Sequence, residues 1–494
     1  MYLENVNPYN IEKQHKRDKL HIIERIQLLF DKESFVEYYP DYDEKDTGYD
    51  GVVTGYGDIR GERVYFYGQD FTCMGGTFGY QHSKQIIAIL KEAMAKRRPV
   101  IGIYDGGGAR IQEGAAAVAG CGELFRMNAM ASGYIPQIAI IAGTCAGGAV
   151  YSPGLMDFVF TIDSVSNMFV TGARVINKIQ GTDYLIEELG GAKIHSSISG
   201  TAHFRMRDEQ SCYQKVRELV DLLPPCFREE RIFRKGFFQE KDIGDISTLL
   251  PADKQAEYDV KPIIRKILDD DSFIELQEEF APNIVVGFGR LGGVTAGVVA
   301  NQTLCKNGSI DCDGADKAAR FVQYCDCYNI PVITLVDSTG FVMEAEQEYK
   351  GLIRHGAKMI HAYAQATTIR LTVILRKAYG GPYIFMGCKQ LGADRHYVWP
   401  DAEVAVMKAE GAVAVICHNQ LSKLEGIEKK DYLAEQLEQY QKNYMNSELV
   451  LKRNFVDRQI NPEETRKILY QDLIRLSETR PSTVVNKKHS NIPV

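Results

Sequence analysis

Apolar residues in this chain fall in short Ile- and Val-rich runs, each closed by glycine and followed by a segment with helical spacing. Two runs dominate: Pro136 to Met156 (PQIAIIAGTCAGGAVYSPGLM) and Ile369 to Met386 (IRLTVILRKAYGGPYIFM). Each apolar stretch is too short for a membrane span and predicts a buried strand, a Gly-Gly turn and a helix start. Ile11 to Phe30, with Leu20, Ile23, Ile26 and Leu29 at helical spacing, predicts one amphipathic packing helix. Gly51 to Phe71 alternates Val, Tyr and Phe and predicts paired strands with a turn near Asp58 to Glu62. A helix over Ser83 to Lys96, a buried strand over Val100 to Asp105 and a glycine-rich loop over Gly106 to Gly114 (GGGARIQEG) follow. This succession of strand, glycine loop and helix predicts a largely parallel α/β sheet layered with helices.

The second half starts afresh at Val260, with a helix predicted over Asp311 to Pro331, a strand at VITLVD and a helix at LIRHGAKMIHAYAQA. Lys423 to Arg480 is helical and charged, which predicts a solvated surface or subunit contact. Between Leu222 and Asp259 prolines and charges replace periodicity, as in an interdomain linker. Laid against itself, the chain repeats in order. Phe30 to Glu37 (FDKESFVE) matches Leu268 to Glu275 (LDDDSFIE) at an offset of 238, and Val53 to Gly57 matches Val285 to Gly289 at 232. Arg98 to Asp105 matches Ile330 to Asp337 at 232, and Gly147 matches Gly380 at 233. A kept order with nearly constant spacing predicts a duplicated domain, residues 1–235 and 236–494.

At 494 residues, each copy is long enough to bury a full core. A net charge of −7 with no long basic run argues against nucleic-acid binding. The first residues lack the apolar core of a secretion signal and no run reaches the length of a membrane helix, so a cytoplasmic enzyme or enzyme subunit is expected. The eleven cysteines include no Cys-x-x-Cys pair, and Cys325 with Cys327 lacks a second pair or a His cluster, so reduced thiols and no metal are expected. Cys145, just before the first Gly-Gly, reads as a small packing residue rather than a nucleophile.

The candidate chemistry lies in the glycines. Gly147 and Gly148 in the first copy, and Gly380 and Gly381 in the second, place backbone N–H groups at a helix start without side-chain obstruction, where they can hold an oxyanion. The loop Gly106-Gly107-Gly108-Ala109-Arg110 fits neither a Walker phosphate loop nor a dinucleotide fingerprint. It is either a tight connection or, with Arg110 at a helix start, the edge of an anion site. His195 and His203 fall in loops, where a structural role is the commoner one.

In its motifs the chain resembles the carboxyltransferase subunits of biotin-dependent acyl-CoA carboxylases, transcarboxylases and sodium-pump decarboxylases, propionyl-CoA carboxylase beta among them. The resemblance spans nearly the whole chain. It is carried by GYDGVVTGYG, QDFTCMGGTFG, DGGGARIQEG, GTCAGGAVYSP, MFVTG and EELGGAKIHSSISGTAH, then by NIVVGFGRLGG, DKAARFVQYCD, QEYKGLIRHGAKMIHAYAQAT, RKAYGGPYIFM, YVWPDAEVAVM and KKHSNIPV. It implies two tandem crotonase-like domains of the ClpP/crotonase superfamily. Acyl-CoA would lie on the first, beside Gly107, Gly108, Ala109, Arg110 and Ala146, and biotin on the second, beside Tyr379, Pro382, Ile384, Gly340 and Phe341. The cleft would form between different subunits of a hexamer. Biotin would arrive on a separate biotin carboxyl carrier protein, with a biotin carboxylase or a membrane decarboxylase subunit as partner.

The implied reaction matches the glycines. Carboxylation alpha to a thioester needs a stabilised enolate oxygen, which the Gly147 and Gly148 N–H groups would serve; the ureido oxygen of biotin needs a second hole at Gly380 and Gly381. The freed biotin nitrogen can take the alpha proton, so no side-chain base is required. Three features depart from the family pattern. Pro382 stands where a small residue is usual and has no N–H; if the hole uses that position, about 3 kcal/mol of transition-state stabilisation is lost. The loop Asp337 to Ala345 reads DSTGFVMEA in place of Asp-Val-Pro-Gly-Phe-x-Pro-Gly, and Ile384 occupies a position that is often Asp in propionyl-using relatives. AVMKAEG, Ala405 to Gly411, mimics a biotin attachment site around Lys408, but relatives carry AVMGAEG and no biotinyl domain surrounds it. The alternatives to carboxyl transfer are a biotin-dependent decarboxylase subunit, a non-catalytic acyl-CoA-binding or assembly subunit, and a hydratase or isomerase using Glu113 or Glu123.

Overall fold

The structure, a computed structural model, describes residues 7–39, 49–227 and 241–479. The expected boundary at 235/236 and the closing KKHSNIPV motif lie outside them. Two compact units form: Met1–Glu230 with Gln277–Phe280, and Arg231–Leu276 with Ala281–Val494.

Among the described residues each unit holds one eight-stranded sheet. The first contains β1 (Val36–Glu37), β2 (Val52–Ile59), β3 (Glu62–Gln69), β4 (Val100–Gly106), β5 (Gln137–Ala146), β6 (Phe158–Ile162), β7 (Asn167–Phe169) and β8 (Phe204–Met206). Its order is β1-β2-β3-β4-β5-β6-β8, with β7 on the end of β5. The second contains β9 (Ile274–Leu276), β10 (Ile284–Leu291), β11 (Val294–Asn301), β12 (Val332–Ser338), β13 (Arg370–Tyr379), β14 (Arg395–Val398), β15 (Glu403–Ala405) and β16 (Arg458–Gln459). Its order is β9-β10-β11-β12-β13-β14-β16, with β15 on the end of β13, so the two sheets match strand for strand. From β3 and β11 onward the pairing is parallel. The central parallel strands β4 and β12 are buried at every position, apolar but for a few polar residues.

The first sequence match of the duplication marks a repeated clamp. In unit 1, Asp31 accepts from Arg60 N and Gly61 N at 3.1 and 2.9 Å, holding the two-residue turn between β2 and β3, and pairs with Arg217 at 2.6 Å. In unit 2, Asp269 accepts from Gly292 N and Gly293 N at 2.9 and 2.8 Å and pairs with Arg466 at 2.6 Å. Each arginine also donates to the carbonyl just before its aspartate's loop, Leu29 or Ile267, so one side chain ties a late helix to an early turn.

Three expectations change. The single helix over Ile11 to Phe30 is two, Pro8–His15 and Ile22–Leu29. Asp18 in left-handed conformation (φ 56°) interrupts the run, and the second helix starts at a His21 cap that Glu24 completes by accepting from His21 N at 2.8 Å. The linker stretch supplies Ile243, Ile246 and Tyr258 to the core of unit 2. The charged C-terminal region splits in role: Gly426–Tyr444 buries nothing, but Thr465–Thr479 sets Leu469 and Leu473 fully into that core.

Replacing Asp269 with Ala leaves two turn N–H groups and the buried Arg466 without their acceptor. It is expected to cost about 2 kcal/mol, read as a lower thermal midpoint by circular dichroism, with Asp269→Asn losing less.

Candidate active site

β5 ends at Ala146, and Gly147, at φ 64°, turns the chain into a short helical segment, Gly147–Val150 then Tyr151–Gly154. A side chain on Gly147 or Gly148 would meet nothing within 4 Å, so this helix start faces open space. The first N–H groups of a helix have no acceptor within it, which leaves them for a ligand oxygen. In unit 2, β13 ends at Tyr379 and Gly380, at φ 58°, makes the same turn into Gly381–Phe385. Here the expectation for the second pair is corrected. The Gly380 N–H donates to the Ala405 carbonyl at 2.9 Å, extending the β13–β15 ladder, and is already used. Pro382 has none to give. Gly381 alone of these three residues retains a donor.

The second turn is also more enclosed. A Cβ on Gly381 would lie 2.3 Å from the Phe341 ring, and Phe341 meets Phe385 edge-on at 5.0 Å, forming an apolar wall. Gly340 accepts from Ile310 N at 3.0 Å, which fixes that loop. Tyr379 is buried and donates to Glu403, which also pairs with Lys254 at 3.3 Å; burial and Glu403 push its hydroxyl pKa far up, so it stays a neutral donor. Pro382 is buried, whereas Ile384 is 45% exposed beside the glycines.

The Gly107-Gly108-Ala109 loop lies against the end of β5. A Cβ on Gly108 would sit 2.8 Å from the Ala146 carbonyl, and the loop pairs with Phe78 through Phe78 N to Gly108 O and Arg110 N to Phe78 O, both 2.8 Å. Gly108 therefore packs directly on Ala146. Arg110 does not serve as expected. Its guanidinium is 8% exposed and donates to Asp50 and Glu113 at 2.6 and 2.7 Å and to Thr77 O at 3.0 Å, so its charge is answered within unit 1. The partners come from 60 and 33 residues upstream, which no local pattern announces. His82 completes this cluster, its Nδ1–H donating to the Asp50 carbonyl at 2.9 Å; burial drives its pKa down to about 4 and leaves it neutral.

The remaining candidates have structural duties. Glu113 accepts from Tyr80 N at 2.6 Å, and this bond with Arg110 holds its carboxyl below the usual range. Glu123 pairs with Lys84 on the surface. Neither is a poised acid, and the hydratase reading loses its catalyst. Cys145 is buried, with its thiol pushed up to about 12, which suits packing and not attack. His195 bonds the Met168 carbonyl at 2.8 Å and His203 the Val159 backbone at 3.1 Å. Among the described residues, no group of His, Cys, Asp or Glu is placed to hold a metal ion.

Comparison with known proteins identifies the family. A family profile described as carboxyl transferase domain matches residues 13–492. The chain is 45% identical to the propionyl-CoA carboxylase beta chain of Roseobacter denitrificans over 98% of its own length and 96% of the relative's. To methylmalonyl-CoA decarboxylase subunit alpha of Veillonella parvula it is 41% identical, over 98% and 95%. A solved transcarboxylase 12S, described as a hexamer assembly with methylmalonyl-coenzyme A and methylmalonic acid bound, matches with a TM-score of 0.92 and 40% identity, covering 98% and 94%.

Because Gly147 and Gly148 face the same open space but only Gly147 has positive φ, Gly147→Ala is expected to cost about 1–2 kcal/mol more stability than Gly148→Ala. Paired thermal melts check this.

Proposed function

The chain belongs to the carboxyl transferase domain family, and from that premise we propose that it moves a carboxyl group between carrier-borne biotin and the alpha carbon of a short acyl-CoA of the propionyl/methylmalonyl type. Its fold is α/β, two tandem crotonase-like halves related by internal duplication. The observation that carries the proposal is the pair of matching turns, each ending a central strand with a left-handed glycine and starting a helix.

The roles follow from what each turn offers. Gly147 and Gly148 point donors at the thioester oxygen, which gains negative charge as the alpha carbon becomes nucleophilic. Gly107, Gly108 and Ala109 shape the acyl-CoA edge beside Ala146, and Arg110 holds that loop in place from behind. At the second turn Gly381 supplies a donor, and Phe341 with Phe385 supplies an apolar wall of the kind a fused bicyclic ring packs against, so the residues fit biotin. Biotin, when bound, supplies or takes up the carboxyl group and the alpha proton. Tyr379 and Gly340 brace this wall, and the exposed Ile384 gives the acyl end an apolar neighbour.

Propionyl-CoA carboxylase and methylmalonyl-CoA decarboxylase, both close relatives by sequence, act by their names on two ends of one reaction; the same chemistry in this chain takes its direction from the partner, a biotin carboxylase with its carrier or a membrane decarboxylase subunit. A hexamer is inferred from the likeness to the transcarboxylase 12S, and Met343, Tyr349 and Ile353 of unit 2, all more than four-fifths exposed, are surface that subunit contacts can cover. The acyl-CoA domain is assigned to 1–235 and the biotin domain to 236–494. Among the described residues no helix is long and apolar enough to cross a membrane, and a cytoplasmic site accords with that. The spent Gly380 N–H and Pro382 favour one second reading, an acyl-CoA-binding subunit without transfer activity.

Single-turnover decarboxylation of malonyl-CoA and methylmalonyl-CoA with free biotin separates the two. Wild type is expected to form carboxybiotin, faster from methylmalonyl-CoA, and Gly148→Pro to lower the rate by at least about a hundredfold. Absence of carboxybiotin from both donors would establish the non-catalytic reading.

A further inference from the structure

The duplication supplies an internal reference for the second turn. Ala146 pairs with Phe169 on β7 as Tyr379 pairs with Ala405 on β15, so Ala149 corresponds to Pro382 and Gly172 to Lys408. The first copy has an N–H at 149 and no side chain at 172. The second has no N–H at 382 and an ammonium at 408.

Lys408 is poorly suited to its local structure. It is the N-cap of the helix Ala409–Ile416 and its side chain makes no capping bond. N-caps favour Ser, Thr, Asp, Asn and Gly, and a cation opposes the positive end of the helix. The side chain is exposed, and among the described residues it has no hydrogen bond or ion pair. Its backbone, however, is seated on the second turn. The Gly380 N–H bonds Ala405 O, and the Val406 carbonyl lies 2.9 Å from where a Cβ on Gly380 would be. Adjacent strands are about 4.8 Å apart and a lysine ammonium sits on a flexible four-carbon stem, so the mouth of the turn is within its reach. The charge also bears on β13 itself: the ammonium of Lys377, three residues before Gly380, is depressed mainly by burial and further by Arg376 and Lys408, against Asp337.

We propose that the Lys408 ammonium supplies the donor that neither the spent Gly380 N–H nor Pro382 can give, and hydrogen-bonds the anionic ureido oxygen of biotin at the second turn. This rests on the carboxyl-transfer reading. Lys408 transfers no proton in this step: it would donate to the exocyclic ureido oxygen, on which charge accumulates as the nitrogen–carboxyl bond breaks, and the carbon dioxide released would be taken up by the alpha carbon of the acyl-CoA.

A double-mutant cycle in the free-biotin assay tests the assignment. Lys408→Gly is expected to slow transfer about tenfold to a hundredfold with Pro382 present, and less than about threefold with Pro382→Ala, where a backbone N–H is restored. Independently of activity, free biotin is expected to slow trinitrophenylation of Lys408 in the wild type, mapped by mass spectrometry, and Lys408→Gly, which removes a cation from a helix N-cap, is expected to hold or raise the thermal midpoint. If carboxybiotin forms but Lys408→Gly has no effect or an equal effect in both backgrounds, or biotin gives no protection, the Lys408 assignment falls and carboxyl transfer stands. If no variant forms carboxybiotin, carboxyl transfer falls and this assignment with it.

Discussion

A carboxylate buried at a bulge is the most demanding group in each half. Asp105 and Asp337 are at most 1% exposed, each where the register of two central parallel strands shifts, between Tyr104 and Gly106 on β4 and between Val336 and Ser338 on β12. Burying a carboxylate costs several kcal/mol unless a cation answers it. In unit 1 the cations come from the N-terminal region, Lys19 at 2.6 Å and Arg25 at 3.0 Å, and Arg25 goes on to Glu209 and the Ala142 carbonyl. In unit 2 they come from the neighbouring strand, Arg376 at 2.8 Å with Lys377 at 3.9 Å, and Arg376 reaches the Ala256 carbonyl at 2.9 Å. One position explains the difference. Gly143, whose Cβ would fall 2.0 Å from Asp105, leaves room for the carboxylate, and its counterpart in the second copy is Arg376 itself.

Past the bulge the ladders resume, so that Cys145 pairs with Gly106 of β4 on one edge and Met168 of β7 on the other, and Ala378 with Ser338 of β12 and Val404 of β15. Those added strands fix where the left-handed glycine falls. The loops over each bulge follow suit, with Ala109 bridged to Phe78 and Phe341 bridged to Ile310 at the same topological place. The scaffold is thus held twice by the same backbone geometry, while the side chains facing the turns differ: Ala109 against Phe341, and Gly172 against Lys408.

Legibility in the sequence tracks how local each interaction is. The strands, the Gly-Gly turns and the offset of 232 or 233 were readable because buried parallel strands are continuously apolar and turns need glycine. The repeat FDKESFVE/LDDDSFIE was visible too, but not its task, since Arg217 and Arg466 lie 186 and 197 residues from their aspartates. Arg110 looked free for a ligand because Asp50 is distant in sequence. The break at Asp18 was hidden because Ile11 to Phe30 keeps helical spacing across it. The last helix read as surface because its polar residues outnumber the narrow stripe of Leu469 and Leu473 that enters the core.

The spent N–H of Gly380 bears most on how the second turn can work. Freeing it would break the β13–β15 ladder at the point that seats residues 406–408 beside the turn, so it is not a reserve donor. A missing oxyanion donor costs about 3 kcal/mol, and a hydrogen bond from a charged group is about twice as strong as one from a neutral group. One cation can therefore offset one lost amide. Phe341 closes the Gly381 side of the turn, the segment after β15 lies against its Gly380 side, and Lys408 stands on that segment.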